Sequence, residues 1–185
     1  MPPITGQTVG PFPLTGVGKL PNVTVAFPGE HWSNRYASGD LTPGVAVVPA
    51  ASGGKLYMRQ ANSSDAATQL AIALRPVDVP DPNTGPTALG PNEIRNQTIP
   101  NNTYVHAYYS GAFHLTLVTP AQYVPGDLIG WDADGARPEG KAAGTGAWAK
   151  NASADIDSIF EVMEWREVNT SHEGILTVRS LRGQF

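Results

Sequence analysis

The chain has 185 residues, enough for one domain with a sizeable core, and carries twelve Lys plus Arg against sixteen Asp plus Glu, a net charge of −4. That balance argues against a nucleic-acid partner, which would ask for a basic face, and the lack of cysteine excludes disulfides and thiolate metal sites. No apolar run approaches the roughly 20 residues that span a bilayer, and the start MPPITGQTVGPFPLTG has neither the charged nor the apolar region of a signal peptide. The expectation is a soluble, non-secreted protein with no membrane partner.

Twenty glycines and seventeen prolines break helices and place turns. Between them lie short runs rich in Val, Ile, Thr and Tyr, so the predicted class is all-β. Residues 1–35 read as an extended Gly/Pro-rich N-terminal arm punctuated by Phe12, Leu14, Leu20, Val23, Val25, Phe27 and Trp32. Regularly spaced apolar anchors on an extended chain suit lying across another surface; the plainer alternative is an irregular strand packed on its own domain. Residues 36–185 form the predicted β domain. Its first strand starts in LTPGVAVVPA (41–50), where Pro-Gly marks a turn before Val45, Val47 and Val48. KLYMRQA (55–61) alternates Leu56 and Met58 with Tyr57 and Arg59.

ATQLAIALRPVDV (67–79) has a continuous apolar centre that fits a buried strand or a helical turn. Arg75-Pro76 cuts a helix short, which favours the strand. Residues 80–102 are Pro-rich and poor in large apolar side chains, and read as a loop excursion outside the core. TYVHAYYSGAFHLTLVT (103–119) holds the clearest signal: Val105, Ala107 and Tyr109 alternate with His106 and Tyr108. Gly111 then permits a bend before Phe113, Leu115 and Leu117. Residues 140–155 read as a loop around Trp148. IDSIFEVMEWREV (156–168) and EGILTVRSL (173–181) form a terminal pair of strands with 169–174 as the turn.

Several stretches mimic chemical motifs. GARPEGK (135–141) has the skeleton of a phosphate loop, but Ala142 stands where Ser or Thr would hold Mg²⁺, and no helix follows. WDADG (131–135) starts like a calcium loop, but its twelfth position is Ala143. Asp-Gly in a turn explains Asp132 and Asp134 without a metal. His31, His106, His114 and His172 show no ligand spacing, and Ser110 lacks the nucleophile-elbow pattern. Trp32, Trp131, Trp148 and Trp165 could line a sugar-binding face, although core packing is their ordinary role. The expectation is no enzyme, no cofactor and no metal.

Taken in order, the blocks AFPGEHWSNRYASGDLTPGVAVVPA (26–50), QLAIALRPVDVPD (69–81), TYVHAYYSGAFHLTLVTPAQYVPGDLIGWDADG (103–135) and SIFEVMEWREVNTSHEGILTVRSL (158–181) carry a likeness. In order and spacing they resemble the structural cement, or decoration, proteins of tailed-bacteriophage capsids. The resemblance implies a small antiparallel barrel or sandwich and a non-enzymatic structural protein on the outer surface of a virion. Its partner would be the major capsid protein, and its role would be to tie neighbouring capsid subunits together; separately, the apolar-spaced arm and the Pro-rich excursion offer more contact surface than one core can use, and the expectation is self-association as a homotrimer. The resemblance also implies that YVPGDL (123–128) and its echo YASGDL (36–41) are punctuation between strands. The rival reading is a carbohydrate-binding β-module on a virion or cell surface.

Overall fold

Alternating apolar residues between turn glycines build strands almost throughout. The computed structural model describes residues 22–52, 54–75, 96–135, 145–167 and 174–182. The fold is all-β. Its strands are β1 (Val23–Pro28), β2 (His31–Ala37), β3 (Ala46–Ser52), β4 (Lys55–Gln60), β5 (Ala71–Leu74), β6 (Tyr104–Tyr108), β7 (Gly111–Leu115), β8 (Leu128–Asp132), β9 (Ala147–Lys150), β10 (Ile156–Glu167) and β11 (Gly174–Ser180). They form a six-stranded sheet in the order β1-β7-β11-β10-β8-β9 and a closed barrel β2-β4-β3-β5-β6. The sheet pairs antiparallel throughout. In the barrel, β4 lies beside β2 in parallel, which departs from the purely antiparallel expectation.

One ribbon joins the two bodies. β1 pairs with β7 from Val23↔Leu115 to Pro28↔Gly111, and β2 pairs with β6 from His31↔Tyr108 to Tyr36↔Tyr104. Between them the Tyr109 N–H donates to the Glu30 carbonyl at 3.2 Å, so the pairing continues through the join. Residues 23–37 and 104–115 are thus two arms of a single antiparallel ribbon, with bulges between Val25 and Phe27 and between Trp32 and Arg35. Bulges increase twist and bend a strand, and here they carry the ribbon out of the sheet and into the barrel wall. At the bend the backbones nearly touch. A Cβ on Gly29 would meet the Ser110 backbone at 2.4 Å. Gly111, at φ +116°, would put one 2.6 Å from the Phe27 carbonyl.

The arm expected over residues 1–35 is therefore corrected over its described part. Residues 23–35 are strands of both bodies, and Val23 is in the core. Phe12, Leu14 and Leu20 lie outside the described residues. The physical reason is legible in the pairing: the backbone groups of residues 23–37 find partners on β6 and β7 of the same chain.

Both faces of the first half of β3 and of most of β5 are covered, so Ala46, Val47, Val48, Ala71, Ile72 and Ala73 all have no exposure. A strand buried on two sides reads as a continuous apolar run, which is why 67–79 lacked a period. There a 3-10 turn, Ala67–Gln69, precedes β5. Small side chains such as Ala37, Ala73 and Ala107 suit the narrow interior of a five-stranded barrel. Two expectations fail. Trp148 is not in a loop but at the centre of β9, and Ile99, inside the predicted excursion, is buried and bridges to Leu41.

Sheet and barrel are bolted together by polar groups of the sheet side. Trp131 Nε1 donates to the Ala61 carbonyl at 3.1 Å and Trp148 Nε1 to the Gly44 carbonyl at 2.8 Å, both buried. The Arg182 guanidinium donates to the Leu70 carbonyl at 2.8 Å and also to the Ala67 carbonyl. An edge-to-face aromatic chain runs Trp131–Trp148–Phe160–Phe113–Tyr108, with centroids 5.3–6.0 Å apart. Such pairs contribute about 0.5–1.5 kcal/mol each beyond burial.

Two outcomes test this account. Gly29→Ala should destabilise the fold by about 2 kcal/mol or more in denaturant melts, because backbone atoms must move. Deleting residues 2–21 should preserve a cooperative melt, whereas deleting 2–28, which removes β1, should lower its midpoint.

Candidate functional site

The aspartates of the two echoed turns serve the backbone. In 36–41 the Asp40 carboxylate accepts from the Asn101 N–H at 2.9 Å, and in 123–128 the Asp127 carboxylate accepts from the Val124 N–H at 3.0 Å. Gly39 and Gly126 both take left-handed conformations one residue earlier. Asp127 also pairs with Lys150 at 2.7 Å, and that hydrogen bond holds its carboxyl below the usual range. Asp132 accepts from the Asp134 N–H at 3.1 Å, and Asp155 accepts from the Ala133 N–H at 2.8 Å. Burial, reinforced by Asp155, pushes the Asp132 carboxyl up. Among the described residues no three His, Asp or Glu side chains gather to hold a metal ion. Most of the phosphate-loop mimic, 136–141, lies outside the described residues.

Other candidates are absorbed by packing. Ser110 Oγ accepts from the Glu30 N–H at 2.6 Å and closes the ribbon bend. His114 bonds Thr177 Oγ1 at 3.0 Å, and burial lowers its pKa. His31 stacks on Tyr108 at 4.5 Å. Trp131 and Trp148 are fully buried, and Trp165 packs against the core beside Tyr123. The tryptophans do not assemble a sugar face.

Of the seven arm residues, Val23 is buried and Val25 packs against the core, so neither is displayed. Trp32 is half-buried, edge-on to Tyr109 at 4.5 Å with the Arg35 guanidinium 4.5 Å above its ring. Among the four of these that lie in the described residues, Phe27 stands out, 71% exposed. Register places it in a transverse row on the outer face of the sheet: Phe27, Ala112, Arg179, Glu161, Leu128, across β1, β7, β11, β10 and β8. An Arg179–Glu161 ion pair at 2.9 Å occupies its centre, and Leu128 is exposed at the far end. Beside the row, at the ribbon bend, opens a cleft of about 550 Å³ lined by Phe27, Glu30, Ser110, Arg179 and Arg182.

A second outward row lies on the barrel. Tyr36 on β2 is opposite Tyr57 on β4 and Tyr104 on β6. Their sequence neighbours Ala37, Met58 and Val105 are fully buried, so the tyrosines face out. Tyr36 stacks on Tyr104 at 4.7 Å, and their hydroxyls are 3.1 Å apart. Tyr57 donates to Asn102 Oδ1 at 3.2 Å, and Lys55 Nζ sits 5.4 Å from the Tyr36 ring. Sequence reading recognised the strand alternation of Tyr57 but not the assembly, because the antiparallel β2–β6 pairing and the parallel β2–β4 pairing are both needed to bring the three rings together.

No family model matches the chain, and no curated protein matches it.

The raised pKa of Asp132 has a testable sign. A carboxyl raised in the folded state binds its proton more tightly there, so its contribution to stability is present at low pH and lost as pH rises through the folded pKa. Asp132→Asn, which keeps an acceptor for the Asp134 N–H, should gain melting temperature relative to the parent between pH 3 and pH 7. A constant difference across that range would assign the shift to another group.

Proposed function

We propose that the protein is a non-enzymatic structural component of a tailed-phage virion that binds the outer surface of the capsid shell and cements neighbouring major capsid subunits. The block order carries the likeness, and one structural observation supports the binding role: the Phe27–Leu128 row. It is a sheet face with apolar ends and a paired charge between them, a composition that suits desolvation against a protein partner. Residues 1–21 precede edge strand β1 in the chain, and on this reading Phe12, Leu14 and Leu20 serve as further anchors. Many copies on a shell make weak contacts add up. Preference for the expanded shell over its precursor stabilises the expanded state by linkage. Self-association as a trimer would close the contacts by cyclic symmetry.

The test is co-sedimentation with cognate expanded and precursor shells, alongside sedimentation of the free protein. Phe27→Asp should leave the melt unchanged and weaken binding to expanded shells by about tenfold or more. Deleting residues 2–21 should weaken it further and lower the temperature at which shells release DNA. Failure of the unaltered protein to bind any shell overturns the reading, and a monomer that stays monomeric on shells removes the trimer.

A further inference from the structure

The tyrosine row on the barrel is a different kind of surface from the Phe27 row. Aromatic residues in a barrel wall usually bury their rings, yet Tyr104 is 47% exposed, and Tyr36 and Tyr57 are only half-covered beside it. Their rings form a continuous band over three strands, at 4.7 Å and 6.0 Å between neighbouring centroids.

A polar rim borders the band. The turns 38–40 and 100–103 interlock beside it: the Gly39 N–H donates to Asn101 Oδ1 at 2.9 Å, the Asn101 N–H to Asp40 Oδ1 at 2.9 Å, and the Asn102 N–H to the Ala37 carbonyl at 2.9 Å. Asn102 holds a left-handed conformation, φ 62°, uncommon for a side-chain-bearing residue. That conformation brings its amide oxygen to the Tyr57 hydroxyl. Because the oxygens of Asn101 and Asn102 accept these bonds, their amide nitrogens face away from them as donors. Asp40 supplies a carboxylate and Lys55 an ammonium, so the formal charges at the rim offset each other.

We propose that Tyr36, Tyr57 and Tyr104, with Asn101, Asn102, Asp40 and Lys55 as rim, form a binding site for a neutral oligosaccharide. A pyranose ring has an apolar face of C–H groups and an equatorial belt of hydroxyls. The C–H face, slightly positive, meets the negative face of a tyrosine ring. The hydroxyls both donate and accept, which matches a rim holding amide donors and a carboxylate acceptor. A proline-rich peptide would also stack on tyrosines, but its prolines lack an N–H, so only the residues between them could offer Asp40 a donor. An acidic glycan would meet Lys55 and Asp40 with no net attraction. The site goes beyond capsid binding and does not rest on it, since Phe27 lies on the sheet and Tyr36, nine residues on and past the ribbon bend, lies in the barrel wall.

The full-length protein should be screened on an array of neutral and acidic glycans, and hits titrated while tyrosine ring resonances are followed by NMR. A neutral glycan should bind with resonances of Tyr36, Tyr57 and Tyr104 shifting together. Tyr104→Ala, at an exposed position, should weaken it about tenfold or more while the melt stays cooperative and falls only by the loss of the Tyr36 stack, and Tyr57→Phe, which frees Asn102, should weaken it less. Phe27→Asp should leave it unaltered, so loss of shell binding and loss of glycan binding separate. No neutral glycan bound at millimolar concentration overturns the proposal, as do binding that survives Tyr104→Ala and selective binding of a proline-rich peptide.

Discussion

The bent ribbon is the constraint from which the rest of the architecture follows. Two strands run from one β body into the other without letting go of each other, and this is possible only where their backbones can come within contact distance. Gly29 and Gly111 meet that requirement from opposite strands, and Ser110 fills the gap left in the ladder by accepting from the Glu30 N–H. With the ribbon in place, the orientation of sheet to barrel is set. The Trp131 and Trp148 indoles then reach loop carbonyls of the barrel, and buried N–H groups that would otherwise cost free energy are satisfied there. The aromatic chain fills the angle between the two bodies.

The same geometry separates the two outward rows. Along the ribbon each strand shows alternate residues to the core, and the direction of the outward face changes at the bend. Phe27 and Ala112 end on the sheet surface, while Tyr36 and Tyr104 end on the barrel surface. One molecule can thus present two chemically different faces, one apolar around an ion pair and the other aromatic with a polar rim.

Much of the strand content was legible because alternation survives wherever one face is buried, as in 103–119 and 55–61. The turns were legible too, since Gly-Asp in 39–40 and 126–127 does locally what the residue types predict. What escaped depended on long-range pairing. Residues 23–35 looked like an arm because Pro and Gly interrupt their pattern, and nothing local reveals that β6 and β7 complete their hydrogen bonds. Trp148 follows a glycine-rich stretch that suggests a loop, yet its position opposite Trp131 makes it a strand centre. Ile99 lies in a proline-rich stretch and is recruited to the core by a single bridge to Leu41. The tyrosine row was invisible for the same reason. Its members are scattered over 69 residues, 36 to 104, and two long-range pairings of β2, one parallel and one antiparallel, unite them.

The ribbon also has a mechanical meaning. Its cross-strand hydrogen bonds lie perpendicular to the strands. A pull that grips one strand at its sheet end and the other at its barrel end therefore strains these bonds together, in shear, instead of opening them one after another like a zip. The glycine crossing keeps that alignment unbroken through the bend. A modestly stable molecule built this way can still yield slowly under tension directed from one face to the other, and it gives way far more readily to a force that peels β1 from β7.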